Sequence, residues 1–334
     1  MFNILPDPSD TSNSMASVPK GKDFDWCKSP PHLLLLSHFL CAACAEHFTS
    51  PGWDRVLGES AHAAINRFLT LGLLVPASMA EKINCLYSKP KLKLLLQSRG
   101  LPTSGNKEKM QERLIADDPV GMSKLVAQAN IFTCSPEAKN VTEQYLTAKT
   151  HEKNSVRAEV STLVNAHDYQ GACNAVARYE AKQVFPRGIN IDWETYDPTH
   201  DFQVIDAIMT RRPKILKALA ETEWEPLKNA TVLMHLWGTN TAKEWLPTNF
   251  VGVPSFEADT SARMLLFHAQ FVCNISNFRM AGIKTVTISA CGEGSCDTCK
   301  KFAGKRFSID VVPELPHAGC TNEMGCRCDI QCDL

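Results

Sequence analysis

The sequence has no long hydrophobic run and no excess of charge of either sign. In its 334 residues, the apolar stretch at 33–40 is far shorter than the roughly 18–20 residues that a membrane span needs. Lys and Arg number 35 against 36 Asp and Glu, a net charge of −1. We therefore expect no membrane partner, and the whole surface is not that of a protein that wraps nucleic acid.

Targeting signals are also missing from the beginning of the sequence. Residues 1–22 contain no hydrophobic segment of the kind that directs secretion, so we expect an intracellular, cytoplasmic protein. Residues 1–25 are rich in Pro, Asp, Ser and Asn and lack periodicity, which predicts a flexible leader.

Motifs of nucleotide-binding and hydrolytic enzymes are absent as well. No Gly-x-Gly-x-x-Gly or Walker spacing occurs, and no Ser/His/Asp or Cys/His set can be assembled, so we assign no catalytic residues. Glu180-Ala-Lys182, with Asp168 upstream, resembles the Glu-x-Lys of metal-dependent nucleases. That motif belongs on a strand, whereas the alanine-rich pattern here predicts a helix. The acidic stretch 192–201 is explained equally well by a cation site and by solvated turns.

The near-zero net charge conceals a basic segment. Residues 82–116 contain eight basic and two acidic residues, a net of +6, so the rest of the chain carries −7. Within it, residues 91–99 place leucines on one helical face, Gly100 is a helix stop, and 101–105 are turn formers. A second apolar stripe begins after Asn106. The pattern predicts two short helices that pack together and leave the lysines exposed.

The run from Leu92 to Leu114 closely resembles the SAP domain, a helix–loop–helix module that binds DNA with little base specificity. The shared elements are paired leucines, Arg-Gly-Leu, Ser-Gly-x-Lys and a closing Arg-Leu. Carried over by position, the resemblance implies duplex DNA as partner. The implied phosphate contacts are Arg99, Ser104, Gly105, Asn106, Lys107 and Lys109, and Lys91 in the same basic segment is a further candidate for DNA binding. A lysine-rich hairpin used for protein contacts is the alternative.

Cysteine is abundant, and half of it lies at the end of the chain. Seven of the 14 cysteines fall within residues 291–334. Cys296-x-x-Cys299, followed about twenty residues later by more cysteines, has the spacing of a structural zinc site with four ligands. The candidate ligands are Cys296, Cys299, Cys320 and either Cys326 or Cys328, with Cys291, His317 and Cys332 as substitutes. Reduced buried thiols or disulfides are the alternative, and the other seven cysteines are expected in the core.

The same tail resembles the end of phage minor-head proteins of the Mu F type. The shared elements are Cys-x-x-Cys, a Gly-Lys-x-Phe strand, a Pro-rich turn and Cys-Arg-Cys. One departure is the longer turn at 320–325, which puts Cys320 or Glu323 where that family has histidine. The resemblance implies a zinc fold more than a viral role.

These patterns predict a mainly α protein: helical bundle regions, a SAP-like helix–loop–helix and a small α+β zinc-binding C-terminal subdomain. Helices are predicted at 33–48, 60–71, 202–209, 215–222 and 258–278, and strands at 284–290 and 306–312. The predicted division is a leader (1–25), a helical hairpin (26–80), the SAP-like module (82–118), a mainly helical middle domain (120–255) and a helix with the Cys-rich subdomain (256–334).

Three functions remain open from the sequence. The first is a non-enzymatic DNA-associated protein with structural Zn²⁺. The second is a phage- or prophage-derived head-assembly or interaction protein, with protein partners or self-assembly. The third is a metal-dependent nuclease.

Overall fold

Helices dominate the structure, a computed structural model that describes residues 25–188, 191–240, 243–252, 256–290 and 292–332. The α-helices are α1 (Pro30–Ser37), α2 (Pro51–Leu57), α3 (Ala61–Thr70), α4 (Met79–Leu86), α5 (Lys89–Ser98), α6 (Lys107–Asp117), α7 (Pro119–Val126), α8 (Pro136–Asn165), α9 (Tyr169–Glu180), α10 (Thr199–Thr210), α11 (Glu221–Trp237), α12 (Ala258–Met280) and α13 (Asp297–Lys300). The strands are β1 (Ala43–Cys44), β2 (Leu74–Pro76), β3 (Ile131–Cys134), β4 (Thr285–Ser289), β5 (Arg306–Ser308) and β6 (Asp329–Cys332). The mainly α fold class is confirmed.

The chain divides into two compact units, Met1–His151 and Glu152–Leu334. The predicted leader, apart from Asp25, lies outside the described residues. None of the described helices combines the length and the apolar character that a membrane crossing needs.

The first unit contains a small antiparallel sheet that the sequence did not predict. Its strand order is β1-β3-β2, with Ala43 opposite Phe132 and Leu74 opposite Cys134. The core beside it is built from α1 to α3 and includes Leu36 and Phe68, both fully buried. Because β3 follows β2 by more than fifty residues, local periodicity could not reveal this pairing.

The predicted helix at 33–48 is wrong. Helix α1 ends at Ser37, and a 3₁₀ turn occupies Ala45–Phe48. The backbone oxygen of Phe39 accepts a hydrogen bond from the amide of Cys134 at 2.9 Å. This long-range contact diverts the backbone of the segment from the helical course that its apolar spacing favours.

Four helices, α4 to α7, form an insertion between the paired strands β2 and β3. The amide of Ala77 donates to the oxygen of Ile131 at 3.0 Å, so both ends of the insertion are held at one point. We call residues 79–126 the inserted module. It has its own core, separate from that of α1 to α3.

The second unit is organised around α10, α11 and α12. Their apolar faces share one core, in which Val204, Ile208, Leu227 and Leu265 are fully buried. The predicted helices at 202–209 and 258–278 are confirmed as parts of α10 and α12.

The predicted helix at 215–222 is wrong, because only the 3₁₀ turn Lys214–Leu216 forms before α11 begins at Glu221. The Arg212 guanidinium donates to the backbone oxygens of Leu216 and Leu219 and holds this stretch as a turn. These carbonyls are therefore occupied by a side chain instead of by helical amides.

The Cys-rich end folds around a second antiparallel sheet, with strand order β5-β4-β6. Val286 of β4 lies opposite Phe307 on one side and opposite Cys332 on the other. The two predicted strands are confirmed, although β5 is shorter than expected. Strand β6 was not predicted, and it brings the last cysteines back beside α12 and β4.

Candidate nucleic-acid interface and metal centre

The inserted module is held together by a small apolar core. Its fully buried residues lie on all four helices: Ile83, Leu92, Leu96, Met110, Leu114 and Met122. The two facing stripes predicted for α5 and α6 are therefore confirmed, and α4 and α7 cover the ends of the same core. This burial fixes the angle between the helices and the position of the loop that joins them.

The loop between α5 and α6 is built by glycine and by one arginine. Gly100 ends α5 with φ +68 and Gly105 has φ +110, conformations that favour glycine. Arg113, from α6, donates to the backbone oxygens of Pro102 at 2.8 Å and Ser104 at 2.5 Å. Asn106 caps α6 by accepting from the amide of Lys109 at 3.0 Å. The loop is thus a fixed surface feature.

The predicted cations of the module fall into two groups. Lys91 and Lys109 are exposed and make no ion pair within the described residues. Lys107 is half-buried, and its Nζ donates to the backbone oxygen of Asn84 at 2.7 Å. Arg99 pairs with Asp117 and with the neighbouring Asp118, at 3.4 Å each. Two of the four predicted cations are therefore free for a ligand, and two help to position helices.

The remaining predicted contacts, Ser104, Gly105 and Asn106, are exposed in the loop. Two exposed lysines that we did not predict, Lys89 and Lys93, flank Lys91 on α5. The net charge of +6 in residues 82–116 includes both lysines, but it does not distinguish them from the other basic residues of the segment.

Five cysteines of the second unit come together at the end of the chain. We call them the thiol cluster: Cys296, Cys299, Cys320, Cys326 and Cys328. Cys296 precedes α13 and Cys299 lies within it, so one short turn presents both sulfurs. Cys328 lies immediately before β6, and the amide of Cys326 contacts the sulfur of Met264 on α12 at 3.2 Å. This contact with α12 holds residues 326–328 next to Cys299.

The sulfur atoms form two triangles that share Cys299. One contains Cys296 and Cys320, the other contains Cys326 and Cys328, and within each triangle all sulfurs lie within 4.8 Å of one another. The Sγ atom of Cys320 is 3.7 Å from that of Cys296 and 3.8 Å from that of Cys299. The Sγ atoms of Cys299 and Cys326 are also 3.8 Å apart. These distances equal the edge of about 3.8 Å that a tetrahedron with Zn–S bonds of about 2.3 Å has.

The protonation of the cluster shows how strongly its sulfurs interact. Hydrogen bonds to Cys320, then to Cys326 and Cys328, raise the pKa of the Cys299 thiol. The hydrogen bond from Cys299 lowers the pKa of Cys328. Sulfurs this close cannot all become thiolates without a compensating cation, which a bound divalent metal supplies. The cluster can hold a metal ion.

Two of the three substitute ligands, His317 and Cys332, are not part of the thiol cluster. His317 accepts from the amide of Gly319 through Nδ1 at 3.1 Å, and its ring packs on Phe302 with centroids 5.0 Å apart. Cys332 is half-buried in β6 and belongs to neither triangle. Cys291 lies outside the described residues.

The expectation that the other seven cysteines are core is partly wrong. Cys134, Cys173 and Cys273 are buried, but Cys27 and Cys41 are exposed. Cys44 and Cys85 are half-buried. The apolar spacing around Cys41 and Cys44 predicts a continuous helix. In the structure Cys44 lies in the short strand β1, and Cys41 lies in the bend before it.

The nuclease-like motif lies at the end of a helix, as the sequence predicted. Glu180 is the last residue of α9, and its carboxylate accepts from the amide of Arg187 at 2.8 Å and pairs with that guanidinium. In the acidic stretch, Asp192 accepts from Thr195 and Asp197 accepts from Thr199. These carboxylates organise turns.

One serine–histidine–carboxylate arrangement emerges that the sequence did not reveal. Ser29 Oγ lies 2.7 Å from His32 Nδ1, and His32 Nε2 lies 3.0 Å from Glu59 Oε1. The second oxygen of Glu59 binds Arg67 at 2.6 Å. His32 is only 2% exposed, so this network ties α1 to α3 instead of serving a substrate.

Comparison with known proteins finds a family match, and it lies within the inserted module. Residues 86–118 match the family model of the SAP domain. No match to the chain was found among the curated proteins or among the solved structures. The resemblance of the tail to Mu F-type proteins stays a prediction from the sequence. The chain therefore contains a SAP domain, and this domain occupies about a tenth of its length.

Proposed function

We propose that this protein binds duplex DNA through the inserted module, with little sequence preference. The observation that carries the proposal is the SAP match combined with exposed, unpaired cations within the matched residues. Lys91 and Lys109 are free of ion pairs within the described residues, and the exposed loop at 104–106 offers backbone groups to phosphate.

Charge accounts for the expected strength of binding. The basic segment carries +6 while the remainder carries −7, so attraction to DNA is concentrated in this segment. A single non-specific module of this kind binds with a Kd on the order of 10⁻⁴–10⁻⁶ M at physiological salt. The protein would therefore associate with DNA weakly and reversibly, and an intracellular location fits that partner.

The second part of the proposal is that the thiol cluster binds one structural Zn²⁺. Cys296, Cys299, Cys320 and Cys326 are the proposed ligands, because the three measured contacts among their sulfurs are 3.7–3.8 Å. Four thiolate ligands leave no position for a catalytic water. The ion would stabilise the end of the second unit without taking part in a reaction.

The DNA proposal is tested by exchanging the free cations. We expect Lys91→Glu combined with Lys109→Glu to weaken binding of the full chain to a labelled duplex by about tenfold or more, and to reduce the slope of log Kd against log salt by about two. Fluorescence anisotropy at several salt concentrations measures both quantities.

The matched control changes the same charge in the other unit. Lys217→Glu combined with Lys284→Glu alters two exposed lysines outside the SAP match and should leave DNA binding close to that of the wild type. Equal losses in the two double variants would show a general charge effect and contradict the proposed interface. Lys107 is unsuitable for this test, since its bond to Asn84 also stabilises the module.

A further inference from the structure

The thiol cluster contains one more sulfur than a tetrahedral ion takes. Three cysteines of one triangle and one of the other complete four ligands, so Cys326 and Cys328 compete for the fourth position. A role for the surplus thiol rests on the metal site proposed above.

Access from solvent distinguishes the two cysteines. Cys326 is 1% exposed, while Cys328 is 7% exposed and lines an open cavity of about 240 Å³. The cavity is bounded on one side by α12, through residues that include Phe271 and Asn274, and on another by His200 of α10. Cys328 therefore borders the space that a small molecule can enter, whereas Cys326 does not line this cavity.

The wall of the cavity is polar and carries one positive and one negative side chain. Arg327 lines the cavity, is exposed, and makes no ion pair within the part of the chain that the structure describes. The one carboxylate in the wall, Asp329, accepts from Asn274 at 3.4 Å and from the amide of Ile330 at 2.7 Å. A small polar molecule such as a hydroperoxide therefore finds polar groups in the same cavity that Cys328 lines.

We propose that Cys328 is a modification site for hydrogen peroxide and other small hydroperoxides, and that its oxidation opens the metal site. In the first step the sulfur of Cys328 attacks one peroxide oxygen. The O–O bond breaks, the thiol proton passes to the departing oxygen, water leaves, and a sulfenic acid remains on the sulfur.

In the second step a thiolate of the cluster attacks the oxidised sulfur. The sulfur of Cys299 is within 4.8 Å of that of Cys328, so it is positioned for this attack. An S–S bond forms, the S–O bond breaks, and hydroxide leaves, so that two cysteine sulfurs have given two electrons to one peroxide. Because Cys299 belongs to both triangles, its loss removes a ligand that the ion cannot replace.

The test uses the zinc-loaded full chain, hydrogen peroxide, and two readouts. A chromogenic chelator measures the rate of zinc release, and dimedone with peptide mass spectrometry locates the sulfenic acid. We expect dimedone on Cys328 first, followed by release of the ion. Cys328→Ser should still bind zinc through the other four thiols and release it about tenfold more slowly than the wild type under peroxide.

Cys332→Ser is the matched control, since this cysteine is close in sequence but outside the cluster, and it should behave as the wild type. Equal release rates for Cys328→Ser and wild type, or first labelling of another cysteine, would overturn the inference. Loss of zinc from Cys328→Ser before peroxide would do so too, because it would show that Cys328 is itself one of the four ligands. A wild-type chain without zinc would refute the metal site alone, since dimedone still reports whether Cys328 is the oxidised residue.

Discussion

The inserted module and the thiol cluster reach a fixed geometry in opposite ways. The module buries apolar side chains contributed by four consecutive helices, and its charged side chains remain on the surface. The cluster gathers polarizable sulfurs from three separate segments, 296–299, 320 and 326–328, in an arrangement that could hold a metal ion. The difference is that the module takes its geometry from apolar contacts between neighbouring helices, whereas the cluster depends on contacts between segments far apart in the chain.

The largest expected effect is on the cluster. Cys299→Ser removes the sulfur shared by both triangles, so the protein should lose its zinc and the second unit should melt lower by about 10 °C or more. Elemental analysis and calorimetry measure the two effects. Cys332→Ser should change neither, and a fully zinc-loaded Cys299→Ser protein would contradict the assignment.

Removing core volume should destabilise the inserted module, whereas removing metal with a chelator should not. Leu96→Ala creates a cavity in a fully buried site and should destabilise the module by about 2–5 kcal/mol, with loss of DNA binding and unchanged zinc content. Hydrogen exchange of α4 to α7 measures this. Leu94→Ala, at a position that is 64% exposed, is the control and should cost less than about 0.5 kcal/mol.

A smaller effect separates two arginines of the module. Arg113→Met leaves the oxygens of Pro102 and Ser104 without their donor and should destabilise the module by about 1–2 kcal/mol. Arg99→Met breaks ion pairs with partly exposed carboxylates at 3.4 Å and should cost less than about 1 kcal/mol. Denaturant unfolding of the module compares them, and equal costs would show that the loop does not depend on Arg113.

The smallest effect concerns pH and the second unit. Burial lowers the pKa of His268 from 6.5, even though its Nδ1 donates to the oxygen of Leu315 at 2.9 Å. Below pH 6.5 the unfolded chain therefore binds more protons than the folded one, so this residue reduces stability as pH falls and contributes no slope above that value. His268→Asn retains a donor and should flatten the dependence of stability on pH below about 6.5. An unchanged slope would assign it to other groups.

Prediction from sequence succeeded where structure is local. Helices α5 and α6, the stop at Gly100 and strand β4 all follow from spacing within about ten residues, and all are confirmed. It failed at 33–48 and at 215–222, where backbone oxygens are taken by the amide of Cys134 and by Arg212. These partners are invisible to a window that reads only neighbouring residues.

The candidate sites show the same division. Sequence spacing identified all five cysteines of the thiol cluster and a set of cations that the SAP resemblance implied. It did not distinguish Lys91 and Lys109, which are free, from Lys107 and Arg99, whose partners are Asn84 and two aspartates. The partners of long polar side chains depend on how the helices pack against one another, and local spacing does not determine that packing.

By itself, the sequence determined the helical module, its positive charge and the supply of thiols, because these follow from composition and short-range periodicity. Tertiary structure alone decided that the module is inserted between two paired strands, that five sulfurs share one place, and that Cys328 faces an open cavity. The physical reason is that pairing and burial join residues far apart in the chain. Their geometry depends on how whole elements pack, and no local pattern encodes that arrangement.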